Sequence, residues 1–399
     1  MIATRHHRDA WTPPPPTTWP RTIPPGPSEL VQRPAGSASR RVDGLLLAMA
    51  GALAVGGLLM VFNAAFFLGE ERFGDPYALA TRQAIFLVIA VALGALVSRV
   101  PVAMLRPLAY PALGFVLVLL ALVIVPGIGQ VRNGAQRWLP LGPVSFEPSE
   151  LLKPAFVLFL AHTLARKRAS ITSFSFGVLP PLIIAGVPIA LLMQQPDFGA
   201  SAVIAVVLGA MLFVAGARAA HLLGLAGVGG ALGAALVFSS DYRWSRVMAF
   251  LDPWADQQGK GFQLVQSLVA MGSGGVAGVG LGDGKQKLFY LPEGHTDFIF
   301  ALIGEETGLI GGLLVLVAYG VLAIRGFRLA ARAPDLFSAY LAFGLTFTIA
   351  AQAVLNLAVV MGCLPTKGMP LPLLSYGGSS LVVTVGMLAV LLSLSREVR

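Results

Sequence analysis

Windows of about 17–25 mostly apolar residues recur along nearly the whole chain, each long enough to cross the hydrocarbon core of a bilayer as a helix. Ten can be marked, at roughly 45–68, 83–98, 108–125, 149–165, 175–193, 200–216, 221–238, 298–324, 337–360 and 378–394. A backbone in lipid must pair its own hydrogen-bonding groups, so only helices and closed barrels can span. A barrel would show short segments of alternating polarity, whereas these windows are continuous. Composition agrees: 56% of residues are hydrophobic and 12% charged, against about one-half and one-quarter in soluble domains. The expectation is an all-α polytopic membrane protein of ten transmembrane helices, with large extracytoplasmic loops forming a cavity.

The net charge of +9 would suit nucleic acid, but its distribution argues against that. Positive residues gather in short loops at alternate helix ends: Arg99, Arg106, Arg166, Lys167, Arg168, Arg218, Arg325, Arg328 and Arg332, then Arg396 and Arg399. The opposite loops carry mainly Arg72, Arg132, Arg137 and Lys367. The positive-inside rule then places both termini in the cytoplasm. Residues 1–42, with the Pro13–Pro16 run and six arginines, read as a disordered cytoplasmic tail, and 43–399 as the ten-span domain. The first apolar window lies too far from the start for a signal peptide and reads as a retained span. The one cysteine, Cys363, excludes an intrachain disulfide or thiolate cluster and reads as a small packing residue.

Three polar, aromatic-bearing loops fall on the outer face: Asn133–Lys153, Ser239–Asp297 and Leu364–Ser380. Trp138, Trp244, Trp254, Phe250, Phe262 and Tyr376 are too many aromatics for disorder, so these loops should fold onto the membrane and enclose a cavity. Pro or Gly interruptions in 175–193 and 337–380 suggest broken helices, but no internal repeat relates the two halves.

Within YLPEGHTDFIF, residues 290–300, Asp297 stands at the mouth of the eighth window. Thr296 or Asp297 could cap that helix. Asp297 could equally be a partly desolvated carboxylate tuned as a base, and the two readings are compatible. His295 has no nucleophile elbow to serve and reads as a structural hydrogen-bonder. Glu150 and Lys153 share a helix face, as an ion pair or facing a wet cavity. Glu305 and Glu306 lie too deep for both to face lipid. Arg137, Arg243, Arg246, Lys260 and Lys367 would suit a pyrophosphate if they converge; singly, each could meet lipid headgroups. Asp197, in QQPDFG, reads as a turn former. The run GSGGVAGVGLGDG, 272–284, lacks the βαβ setting of a dinucleotide fingerprint and reads as a flexible or tightly packed loop, with no nucleotide cofactor.

Taken in order, NGAQRW, FEPSELLK, QQPDFG, FLDPW, GFQLVQSL, LPEGHTDFIFALIGEE and LPLLSYGGSS resemble the SEDS family of cell-wall polymerases, the FtsW/RodA/SpoVE group, over nearly everything after the tail. PTKGMPLPLLSYGGSS, with Lys367, is most similar to the division-type FtsW branch rather than the elongation-type RodA branch. The resemblance implies a peptidoglycan glycosyltransferase of the inner (cytoplasmic) membrane. Such an enzyme polymerises lipid II on the outer face for septal wall synthesis in cell division. It puts the essential aspartate at Asp297 and substrate-binding polar residues at Arg137, Glu150, Lys153, Arg243, Arg246, Lys367 and Ser375. It also implies a class B penicillin-binding protein transpeptidase and other divisome proteins as partners, and a divalent cation (Mg or Mn) as helper with ligands unknown. A lipid II flippase and a non-enzymatic scaffold are the rival classes; neither explains an acid beside converging cations on the outer face.

Overall fold

The structure is a computed structural model describing residues 42–398 except 133, 143, 240 and 289; the side chains of a few others, Arg243 among them, also lie outside the described residues. The tail expected over 1–42 therefore lies outside the description but for Val42.

Thirteen α-helices can be traced among the described residues: α1 Gly44–Ala64, α2 Phe66–Phe73, α3 Ala78–Val97, α4 Ala109–Ile124, α5 Pro148–Arg166, α6 Leu179–Gln194, α7 Phe198–Val214, α8 Ala219–Phe238, α9 Asp241–Leu251, α10 Phe262–Gly274, α11 Ile299–Arg332, α12 Leu336–Val360 and α13 Gly378–Glu397. Seven helical stretches are long and apolar enough to cross a membrane: α1, α3, α4 with the turn before it, α6 with the turn before it, α11, α12 and α13. The other three expected spans are helical as well, but fall short by that measure. α5 carries Glu150, Lys153 and Arg166, α7 has 17 residues, and the apolar part of α8 ends at Ala235. This is a multi-pass membrane fold. α12 and α13 form its centre: 61% of the apolar window of each is buried, against 22–33% for the other five. Val88 on α3 and Leu314 on α11 are exposed, an arrangement stable where the solvent is lipid and a liability in water.

Two features depart from the sequence expectation. First, the fold is not purely helical. β1 Gln130–Arg132, β2 Ala135–Leu141 and β3 Val144–Phe146 form an antiparallel sheet in the order β1-β2-β3. Gly134 (φ 76) and Gly142 (φ 65) provide the left-handed turns between its strands. Second, the broken helix is α11, at Gly308 (φ 64, ψ −161), whereas 336–360 runs unbroken. The glycine-rich run repairs the break. Val279 and Gly280 N–H donate to the Glu305 and Glu306 carbonyls, and Leu309 and Ile310 N–H donate to those of Gly275 and Val276. A Cβ on Gly308 would lie 2.4 Å from the Gly278 nitrogen, so only glycine fits. Glu305 and Glu306 are both buried. Glu305 accepts from the N–H groups of Lys285 and Gln286; Glu306 accepts from Gly282 N–H, Asn63 and Lys287. The run is thus a packed loop whose donors are committed to protein acceptors. Cys363 is exposed in the turn after α12 rather than packed, because the chain leaves the bundle there.

Candidate active site

The segment before α11 is a turn built on Glu293, whose φ is 54. The Glu293 carbonyl accepts the N–H groups of Thr296, Asp297 and Phe298 at 3.1–3.3 Å, and its carboxylate accepts the Thr296 hydroxyl at 2.9 Å. The helix N-cap is Phe298, with no side-chain cap, which corrects the expectation that Thr296 or Asp297 caps α11. The Thr296 hydroxyl is used within the turn, and the Asp297 carboxylate points to another loop.

Three consecutive carbonyls of this turn are pinned. Tyr376 N–H donates to His295 O at 3.0 Å, Ser375 Oγ donates to Thr296 O, and Asn356 Nδ2 donates to Asp297 O at 2.8 Å. Asn356 also holds Met369 O at 2.6 Å, and Ser375 Oγ accepts Leu371 N–H at 2.8 Å. The loop 364–376 and the Asp297 turn are therefore cross-tied, with the carboxylate facing Gly368. A Cβ on Gly368 would stand 2.7 Å from Asp297 Oδ2. His295, its ring against Tyr376 at 5.7 Å, has its pKa lowered chiefly by burial, which fits a structural place in this knot.

Burial pushes the Asp297 carboxyl from its ordinary 3.8 up to about 7; Glu293 adds to the rise, Arg137 opposes it and Asp197 adds a little. Next to Gly368, burial brings the Lys367 ammonium down to about 8; Asp197 opposes, while Arg137 and Arg246 add to the fall. Lys367 Nζ lies 5.7 Å from the Phe198 ring centre, a cation–π contact. Arg137, on β2, donates to the carbonyls of Gln195 and Pro196 and sits 3.9 Å from Asp197. Asp197 does more than form a turn: its Oδ1 caps α7 through Ala200 N–H at 3.1 Å. Arg137, Arg246 and Lys367 thus share one electrostatic neighbourhood with Asp297. Arg243 lies on α9, and its side chain is outside the described residues; Lys260 is exposed.

Behind Gly368 lies a small cavity of about 30 Å³, lined by Arg137, Glu147, Glu150, Lys153, Asp197 and Gln352. It admits a water or a small ion but not a sugar. Lys153 Nζ bonds Glu150 Oε1 and Gln352 Oε1, both at 2.7 Å, while Gln352 Nε2 donates to Pro370 O at 2.9 Å. Glu150 Oε2 is buried without a partner. Half-buried Glu147 is pushed up to about 8 by burial, then by Glu150 and Asp197, with Lys153 and Arg137 opposing. Ser375 stands apart from the other sequence-predicted residues: buried behind the Asp297 turn, its hydroxyl is used in both directions there. Among the described residues no three His, Cys, Asp or Glu side chains converge as metal ligands, so no step below passes through a metal.

Sequence reasoning missed Gln352 and Asn356. The signal was present: two amides at i, i+4 in an otherwise apolar span are costly unless they hold something.

Against known proteins, the family model FtsW/RodA/SpoVE, described as "Cell cycle protein", matches residues 43–399. The chain belongs to the FtsW/RodA/SpoVE family. Among relatives in that family, "Probable peptidoglycan glycosyltransferase FtsW" of Geobacter sulfurreducens is 40% identical over 359 residues, 90% of this chain and 96% of that one. "Stage V sporulation protein E" of Bacillus subtilis is 44% identical over 345 residues, 86% of this chain and 94% of that one. A chain in "Structural coordination of polymerization and crosslinking by a peptidoglycan synthase complex" aligns with TM-score 0.74 and 33% identity, covering 89% of this chain and 98% of that one. The Thermus thermophilus rod shape determining protein RodA aligns at 0.67 and 31%, covering 89% and 97%.

Proposed function

We propose that the chain polymerises peptidoglycan glycan strands, passing the growing chain from undecaprenyl pyrophosphate to the GlcNAc 4-hydroxyl of lipid II with inversion. The observation that carries this is Asp297: a carboxylate on a pinned turn, in the pKa range of a general base near pH 7, facing a cation-bearing loop. Ionised Asp297 takes the proton of the 4-hydroxyl as that oxygen bonds to C1 of the donor MurNAc. The C1–oxygen bond to pyrophosphate breaks, and undecaprenyl pyrophosphate leaves with the electron pair. Arg137, Arg246, Lys367 and, on the sequence resemblance, Arg243 stabilise the charge gathering on the leaving group. Glu150 and Lys153 hold the loop 368–370 through Gln352, and Ser375 acts by positioning the Asp297 turn rather than by touching substrate.

The cation-rich helix ends lie at the other end of α11 from Asp297, which supports a cytoplasmic location for both termini and an outer-face site. Relatives named FtsW support a division role, and the likeness to a chain of a synthase complex supports a crosslinking transpeptidase as partner. The test is purified protein with labelled lipid II, and with moenomycin to silence other transglycosylases. Wild type should yield glycan product, and Asp297→Asn should lose about 10²–10⁴-fold in rate.

A further inference from the structure

At the end of the bundle remote from Asp297, three arginines stand on one face of α11. Arg325, Arg328 and Arg332 are spaced i, i+3, i+7, so their side chains rise along one stripe. They line a cavity of about 260 Å³ with Asp43, Gly44 and Ser395. Arg325 is engaged: its guanidinium meets Asp43 Oδ2 at 2.7–2.9 Å. Asp43 in turn caps α1 through Leu46 N–H at 3.0 Å and donates its own N–H to Ser395 Oγ at 3.1 Å. Asp43 is therefore neutralised and fixed. Arg328 and Arg332 are exposed and make no ion pair among the described residues. The first turn of α1 opens on the same space, its positive dipole end toward the cavity, and nothing lies within 4 Å of where a Gly44 side chain would begin.

We propose that this cavity binds the phosphate of an anionic glycerophospholipid headgroup. The oxyanion would sit between the Arg328 and Arg332 guanidiniums and the α1 N-terminus, with Arg325 held alongside by Asp43. Arginine's planar fork suits phosphate oxygens, and 260 Å³ accommodates a headgroup. A lipid is favoured over free phosphate by what lies next to the cavity: Leu47 on α1 and Ile324 on α11 are 53% and 51% exposed, an apolar surface for acyl chains directly inside the cationic rim. Basic pockets at helix ends are known to take anionic headgroups. The site needs only the membrane reading and is independent of the polymerase proposal.

The experiment uses the full chain, purified in a neutral detergent, followed by thermal shift and native mass spectrometry. It is titrated with phosphatidylglycerol, phosphatidylcholine or inorganic phosphate. Phosphatidylglycerol should raise Tm by several degrees and remain bound; the other two should do neither. Arg328→Gln/Arg332→Gln should weaken phosphatidylglycerol binding about tenfold or more, at about 1 kcal/mol per lost charge, with Tm unchanged in its absence. Arg218→Gln, a cation outside the cavity, should bind as wild type. Equal binding of phosphatidylcholine, equal stabilisation by inorganic phosphate, a double variant that binds normally, or an equal loss in Arg218→Gln would each overturn the proposal.

Discussion

Asp297 has three consecutive carbonyls tied down by Asn356, Ser375 and Tyr376, and its carboxylate is set against a residue that must lack a Cβ. Gly368→Ala should therefore displace the carboxylate, lowering kcat at least about tenfold while Tm changes little; steady-state kinetics beside a melting curve checks this. The two shifted groups set a pH profile. Asp297 must be ionised and Lys367 protonated, so kcat/KM should rise through about pH 7 and fall above about pH 8. Lys367→Arg should remove the alkaline fall, since arginine keeps its charge. The Asp297 shift also has a stability sign. A folded pKa above the ordinary 3.8 means the contribution of Asp297 is full below about pH 4 and lost as pH rises through about 7. Asp297→Asn should thus melt a few degrees higher than wild type at pH 8 and nearly equal to it at pH 5. The sequence made Asp297 legible because a charge at the mouth of an apolar window demands a reason. Its anchors were not legible: Ser375 looks like any loop serine, and which carbonyl it holds depends on a contact 79 positions away.

Among the elements, α11 and α12 do the positioning. α12 stays unbroken and spends Gln352 and Asn356 on the site loop; α11 breaks at Gly308 and is repaired by the glycine-rich run. Pro and Gly counts pointed to the wrong helix, because a helix break is set by where another backbone can supply hydrogen bonds. Inserting a Cβ at 308 would strike backbone atoms, so Gly308→Ala should cost about 1–3 kcal/mol or more through its left-handed conformation and the clash. Lys287→Met would leave Glu306 buried without its cation, a loss of about 3–5 kcal/mol for a broken buried pair. Thermal unfolding in detergent should show both variants well below wild type. The short sheet at 130–146 was hidden for a similar reason. Strands of three and seven residues give too little alternation to stand out, and the two glycines that turn them read as ordinary loop residues.

For the molecule as a whole, the apolar windows and the charge at their ends carried the architecture. Every window marked in the sequence became helical, because lipid leaves the backbone almost no alternative. The cations separate along α11 into two groups, one around Asp297 and one around Asp43. On this account the first handles pyrophosphate and the second a lipid headgroup. The central claim is that Asp297 is the base. Its most direct test is the initial rate of lipid II polymerisation by purified wild type and Asp297→Asn, at pH 7.5 and with moenomycin present. The account predicts a loss of about 10²–10⁴-fold in a variant whose melting temperature is at least that of wild type; a folded Asp297→Asn protein polymerising at near wild-type rate would contradict it.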